Sequence, residues 1–493
     1  MGPAPARPER VFPPGPENRC LAWGLLALLI AAAWRWGGLR AADGPFFTAA
    51  AALLLLEACG GFGQRGIGVR PGWWRRDFFF WSGLMFLAYL GCQWWNAGRD
   101  LFYDPSAHRW AYSPPRHASW PWAVSRPEAA QMLHWFFPAW AIGLSLRSPR
   151  LSRQGANGIG RGLLWSSGAL AAVGLFEVLK NLRGRFWHMP PGCDSFASFG
   201  YGNHAAAYFL LLGSLAAGLL FRESFRRDRP VRARAVGGFA AALLLCLTGA
   251  NLSLSRTGVF LSWLLAVFAA GYGWARGWRI FRPAARLRWA AATVVAGLLL
   301  YFAVRGSGGA AIHGEFSVKR PPRTQLIPAW QNVNLDLSDR PVLWGAAWRM
   351  IQAHPGFGVG GWGFRHLAAF HLPPDEQRKW NWNVGRSNVH CDPLQFLAEF
   401  GLAGSGLMLL ALGALLAPLF RTGARRGALF TFVVLGLAMV FAFSWIDLPF
   451  RCPAIFWTWT ALLAALPQWT SRQPAPFPVG SDNRPEPPQD PRA

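Results

Sequence analysis

Acid is scarce in this chain: 23 aspartates and glutamates stand against 49 lysines and arginines in 493 residues, a formal charge of +26. No Asp-x-Asp occurs, and none of the seven cysteines forms a C-x-x-C pair. An outward acidic ligand cluster, a structural zinc site and a thioredoxin-like motif therefore all lack support. His354, His366, His371 and His390 do not supply a metal site either, because their spacing does not stack them on one helix face. No metal and no cofactor is expected. No repeat relates the two halves, and polar residues near a midplane in repeated halves are what a solute or ion transporter, the competing class, would show. "GFGVGGWGF" matches G-x-G-x-x-G from Gly356 and again from Gly358, but it follows a helical pattern rather than a strand. The expectation there is a tight glycine turn in which backbone approaches backbone, not a dinucleotide site.

Apolar residues are plentiful, at 53%, and come in blocks of about the twenty residues an α-helix needs to cross a hydrocarbon core. They lie at about 20–36, 45–62, 77–95, 129–147, 161–180, 204–221, 235–253, 257–275, 287–304, 396–420, 427–447 and 453–469. This predicts an all-α polytopic membrane protein of about twelve transmembrane helices. Arginine-dense connections recur every second loop, around Arg65–Arg76, Arg147–Arg153, Arg222–Arg234, Arg276–Arg288 and Arg421–Arg426. By the positive-inside rule these face the cytoplasm, and both termini with them. The basic charge is thus one of topology, and no nucleic-acid partner is expected.

Five stretches follow from this reading: a disordered proline-rich leader (1–19), a first part of the bundle (20–304), a long outward loop (305–395), the last part of the bundle (396–469) and a disordered tail (470–493). Within the loop, "SDRPVLWGAAWRMIQAHP" predicts a short helix: Ser338 or Asp339 can cap it, Pro341 suits its first turn, and Leu343, Ala347 and Ile351 share a face with Trp344 beside them. The 29 tryptophans, including Trp380 and Trp382, fit the bilayer interface better than a haem-handling protein. Cys193, Cys391 and Cys452 fall on the non-cytoplasmic side, where a Cys193–Cys391 disulfide is allowed.

The outward connections hold polar residues that the charge rule does not explain. "GANLSLSRTGVF" sets Arg256 among hydroxyls between two apolar segments, where a guanidinium needs an anion or water. Arg340 and Arg185 lie on the same side, and a planar guanidinium suits phosphate. Lys180 has Glu177 three residues before it as a helical partner. Asn203 and His204 open one span, and "GRSNVHCDPLQFLAEFGLAGSG" sets Arg386 and His390 directly before another, with Asp392 positioned to cap it. An unperturbed imidazole is largely neutral near pH 7, so His390 can serve as a general base, with His204 as the alternative.

Taken together, "SLSRTG", "SFGYGNHAAAYFLLL", "RPVLWGAAWRMIQAHPGFGVGGWGF" and "SNVHCDPLQFLAEFGLAG" resemble the O-antigen ligase and polymerase family of bacterial inner-membrane glycosyltransferases, of the GT-C type, over roughly residues 160–465. The resemblance implies metal-independent transfer of a glycan from a polyprenyl-diphosphate-linked donor to an acceptor hydroxyl on the periplasmic side. It implies that Arg256 and Arg340 hold the diphosphate, with Arg185 a further family arginine, and that His390 is the catalytic histidine. The acceptor stays open among lipid A core, a lipid-linked repeat, a secreted polysaccharide and a protein. One position departs from the family pattern: Cys391 stands where asparagine usually follows the histidine.

Overall fold

The computed structural model describes residues 19–60, 72–98, 101–105, 109–189, 195–226, 230–280, 340–373, 388–420 and 427–470, with single positions between 291 and 298. It is helical: α1 (Arg19–Trp34), α2 (Gly44–Cys59), α3 (Phe78–Trp95), α4 (Arg126–Arg147), α5 (Arg153–Leu179), α6 (Gly202–Ser224), α7 (Ala233–Leu252), α8 (Arg256–Ile280), α9 (Arg340–Ala353), α10 (Gly363–Leu367), α11 (Asp392–Phe420), α12 (Ala428–Phe443) and α13 (Pro453–Trp469). The expectation of an all-α chain needs one addition, an antiparallel hairpin pairing β1 (Leu101–Asp104) with β2 (Arg109–Tyr112).

Six helices of the described residues are long and apolar enough to cross a membrane: α2 with the turn before it, α5, α6, α7, α8 and α11. Two shorter helices, α1 and α12, are also apolar. The segments near 77–95, 129–147 and 453–469 fold as α3, α4 and α13. Most of the expected span at 287–304, the leader up to Asn18, and nearly all of the tail 470–493 lie outside the described residues.

At the centre of the bundle runs α6, whose apolar residues go all round the helix, as a helix buried on every side requires. Ala205 to Ala217 are buried without a break, packed among α5, α7, α8, α12 and α13. Small residues allow that closeness: a Cβ on Gly218 would sit 3.0 Å from the Leu429 Cα.

The α9 helix forms as its proline and apolar spacing predict, starting at Arg340 and burying Leu343, Ala346, Ala347, Met350 and Ile351. Ser338 and Asp339, the expected caps, lie outside the described residues. After it, the glycine-rich stretch is a backbone-to-backbone turn. α11 is broken at Gly401, whose φ of 60° and ψ of −169° suit glycine. The turn fills that break: Leu402 and Ala403 donate to the carbonyls of Pro355 and Gly356 at 2.8 and 3.0 Å, while Val359 and Gly360 donate to Ala398 and Glu399 at 3.2 and 2.7 Å. A kink in an apolar helix strands backbone groups unless something satisfies them, and here the turn does.

Candidate active site

Several helix ends meet at one end of the bundle: the beginnings of α6, α8, α9, α11 and α13 and the end of α12. At their centre is Asp447, 2% exposed, in the short connection from α12 to α13. Its Oδ2 accepts from the Tyr201 hydroxyl at 2.8 Å and from the Asn203 side-chain amide. Its Oδ1 accepts from the Leu448 amide at 2.8 Å and lies 3.5 Å from His390 Nδ1. Burial pushes the Asp447 carboxyl up, but the His390 imidazole, the Tyr201 hydroxyl and the Leu448 amide outweigh burial and hold it below its ordinary value. Burial and Asp447 together push the Tyr201 hydroxyl well up, so it stays a donor.

The backbone holds His390 in place, at a φ of 54° in the left-handed region that few non-glycine residues occupy. On one side the Val389 carbonyl accepts from Trp344 Nε1 of α9 at 3.1 Å, and the Val389 amide donates to Gln395 Oε1 at 3.0 Å. On the other, the Asp392 amide donates to the Ser444 carbonyl at 2.8 Å and to that of Asp447 at 3.3 Å. His390 Nδ1 is buried with no hydrogen-bond partner among the described residues other than its 3.5 Å approach to Asp447, and the residue is 4% exposed. With Nδ1 turned toward a carboxylate, the proton belongs on Nδ1 and the lone pair on Nε2.

Asp392 does not cap its own helix as expected. It accepts instead from the Phe450 amide at 2.9 Å and faces Arg451 at 3.7 Å, because Arg451 is buried between α11 and α13 and needs acids. Arg451 also pairs with Glu399 at 2.6 Å, and Glu399 accepts from Gln395 at 2.8 Å. One chain of polar contacts thus runs from Val389 through Gln395, Glu399 and Arg451 to Asp392.

Among the expected ligand residues, Arg340 is the one whose contact with this centre is defined. Its Nη1 donates to the Ile446 carbonyl at 2.6 Å, and its Nε has no hydrogen-bond partner among the described residues. His204 lies beside the pair, with Nε2 against the Leu448 carbonyl at 3.1 Å. That bond makes Nε2 a donor and leaves the proton-accepting nitrogen buried. Arg256, exposed, begins α8, which Ser255 caps by accepting from the Gly258 amide at 3.0 Å. Gly258 lies against α6 where an added Cβ would meet Ala206 at 2.3 Å, so Arg256 shares the end of the bundle with Asn203 and His204.

Arg185 is exposed on a 3-10 turn, Arg185–Trp187. Arg183 ties that segment to the Leu252 carbonyl at 3.2 Å. Glu177 turns inward to the Phe186 amide at 3.3 Å rather than to Lys180. Arg386 and Cys193 lie outside the described residues; Cys391 is a free thiol pushed up by burial. Of the other histidines, His366 pairs with Glu128, and His354 and His371 have ring centres 6.3 Å apart. No three His, Cys, Asp or Glu side chains converge on a metal-binding position among the described residues.

Reading single segments missed Asp447, Tyr201 and Arg451. The available signal was "FSWIDLPFRC", an acid and an arginine against an apolar span, where an ionisable residue is a functional candidate by default.

The fold and this site define a multi-pass helical membrane protein with a buried histidine–carboxylate pair at one end of its bundle. Residues 241–409 match the family model described as O-Antigen ligase, so this stretch of the chain is similar to that family. The match contains Arg256, Arg340 and His390, and stops short of Asp447, Asn203 and Arg185. No curated protein matches the chain.

Proposed function

We propose that this protein transfers a glycan from a polyprenyl-diphosphate-linked donor to an acceptor hydroxyl, on the periplasmic side of a bacterial inner membrane. The observation that carries the reading is the His390–Asp447 pair, set at the end of the bundle where Arg340 and Arg256 begin their helices.

Asp447 orients the imidazole so that Nε2 takes the proton of the acceptor hydroxyl. The hydroxyl oxygen forms a bond to the anomeric carbon as the bond from that carbon to the diphosphate oxygen breaks, which inverts the centre. The leaving diphosphate carries away the electron pair, and the guanidinium groups of Arg340 and Arg256, with Arg185 further out, meet its charge. The N-termini of α6, α8, α9 and α11 add their positive dipole ends at the same place. The orienting role that an asparagine at position 391 would play falls to Asp447, so Cys391 is compatible with activity.

The test is transfer in proteoliposomes from a polyprenyl-diphosphate oligosaccharide to lipid A core, to a second lipid-linked repeat and to a protein, offered separately. One of the three should be glycosylated by the wild type and none by His390→Ala. Full transfer by His390→Ala removes the base, and no transfer to any acceptor alongside solute uptake by the same vesicles would replace this reading with a transporter.

A further inference from the structure

The buried face of α9 is formed by Leu343, Ala346, Ala347, Met350 and Ile351, which pack chiefly toward α11. Beside it, Arg340, Trp344, Trp348 and Gln352 follow one another at the four-residue spacing that lines up a stripe on a helix. The stripe is open: Trp344 is 39% exposed and Trp348 54%, and Gln352 is exposed as well. Two exposed indoles one turn apart make an apolar patch of the kind that marks a binding surface.

The stripe starts at the His390–Asp447 pair. Arg340 Nη1 donates to the carbonyl of Ile446, the residue before Asp447, at 2.6 Å, and Trp344 Nε1 donates to that of Val389, the residue before His390, at 3.1 Å. The indole N–H of Trp344 is therefore spent inside the protein, whereas a tryptophan that anchors a helix to a bilayer surface keeps its N–H for headgroups and water. What Trp344 offers outward is ring surface. Trp348 offers the same one helical turn, ~6 Å, further from Arg340.

We propose that Trp344 and Trp348 are stacking platforms for successive sugar rings of the donor glycan, with Gln352 placed to bond a hydroxyl beyond them. This rests on the reading of Arg340 as a ligand of the diphosphate and adds where the saccharide lies. The C–H faces of a pyranose ring are apolar and electron-poor, and the face of an indole is the negative side of its quadrupole, so the two attract. A diphosphate held at Arg340 carries its first sugar directly, so the glycan leaves along a surface that begins there, as the stripe does. An inverting displacement brings the acceptor hydroxyl to the face of that sugar opposite the diphosphate, which leaves the stripe to the donor.

The test is binding of two fluorescent polyprenyl-diphosphate donors, one carrying a monosaccharide and one an oligosaccharide, to the full chain in nanodiscs, with transfer measured on the same samples. Wild-type protein should bind the oligosaccharide donor more tightly. Trp348→Leu should weaken binding of the oligosaccharide donor about tenfold more than that of the monosaccharide donor, and Trp348→Phe, which keeps a ring face, should recover most of that difference. Trp344→Phe, which loses the bond to Val389 but keeps a ring, should hold both donors better than Trp344→Leu. Equal effects of Trp348→Leu on the two donors, or no effect on either, overturn the stripe and leave that face to the bilayer surface. If wild type transfers glycan in those samples, the reaction stands without the stripe; length-dependent binding without any transfer keeps the stripe and removes the reaction.

Discussion

His390 Nδ1 and Asp447 Oδ1 face each other at 3.5 Å across the junction of α11 with the connection between α12 and α13. Asp447 has its remaining acceptor positions taken by Tyr201, Asn203 and its neighbour's amide, so it cannot turn away from the imidazole without losing three hydrogen bonds.

The pair assigns separate roles to its members. Asp447→Asn should leave the fold and donor KM nearly unchanged while lowering kcat for transfer about a hundredfold or more, since an amide no longer fixes the proton on Nδ1. Steady-state kinetics in proteoliposomes check this; a kcat within twofold of wild type would leave Asp447 a purely structural acid.

The depressed Asp447 carboxyl also sets an acid limit. A folded value below the unfolded one, about 3.9, contributes stability that is complete above about pH 4 and is lost as pH falls through the folded value. Melting temperatures in detergent should therefore drop more steeply below pH 4 for wild type than for Asp447→Asn.

Arg340 donates through Nη1 to Ile446 and has Nε without a described partner, an arrangement that uses the guanidinium as a fork. Arg340→Lys keeps the charge but not the geometry, so donor binding should weaken by about tenfold or more. Arg256→Lys should behave alike. Direct measurement with a labelled lipid-diphosphate separates this from an effect on chemistry.

Arg451 is the lone cation described between Asp392 and Glu399, and both carboxylates are buried. Arg451→Met should destabilise the protein by about 3–5 kcal/mol, the usual consequence of leaving buried charge unpaired. Adding Glu399→Gln should recover part of that loss, read by denaturation in mild detergent.

Gly401 has no room for a side chain: an added Cβ would lie 2.5 Å from the Gly356 oxygen, at a φ of 60°. Gly401→Ala should cost about 1–3 kcal/mol and lower the melting temperature accordingly.

Much of this was legible in the sequence, and what was not has a common cause. Apolar blocks announced helices, proline and apolar spacing announced α9, and short polar motifs at span ends picked out Arg340, His390, Asn203 and His204, which the fold does gather. "FSWIDLPFRC" marked Asp447 as an acid against an apolar span, but not its role, because its partners come from the start of α6 and from beside α11, and periodicity says nothing about which helix ends meet. Asp392 was read as a local cap for the same reason: its partners, Phe450 and Arg451, come from another helix. Arg386 sits where the described residues do not reach.

The seam between the glycine stretch and the break in α11 has a consequence for how substrates travel. Four main-chain bonds stitch Pro355–Gly360 to the helix that follows His390, and peeling them apart would bare amides against greasy neighbours. Those bonds hold the turn against α11. In the proposed transfer from a lipid-linked donor, the long tail would enter from the flank between helices rather than by prising that seam open.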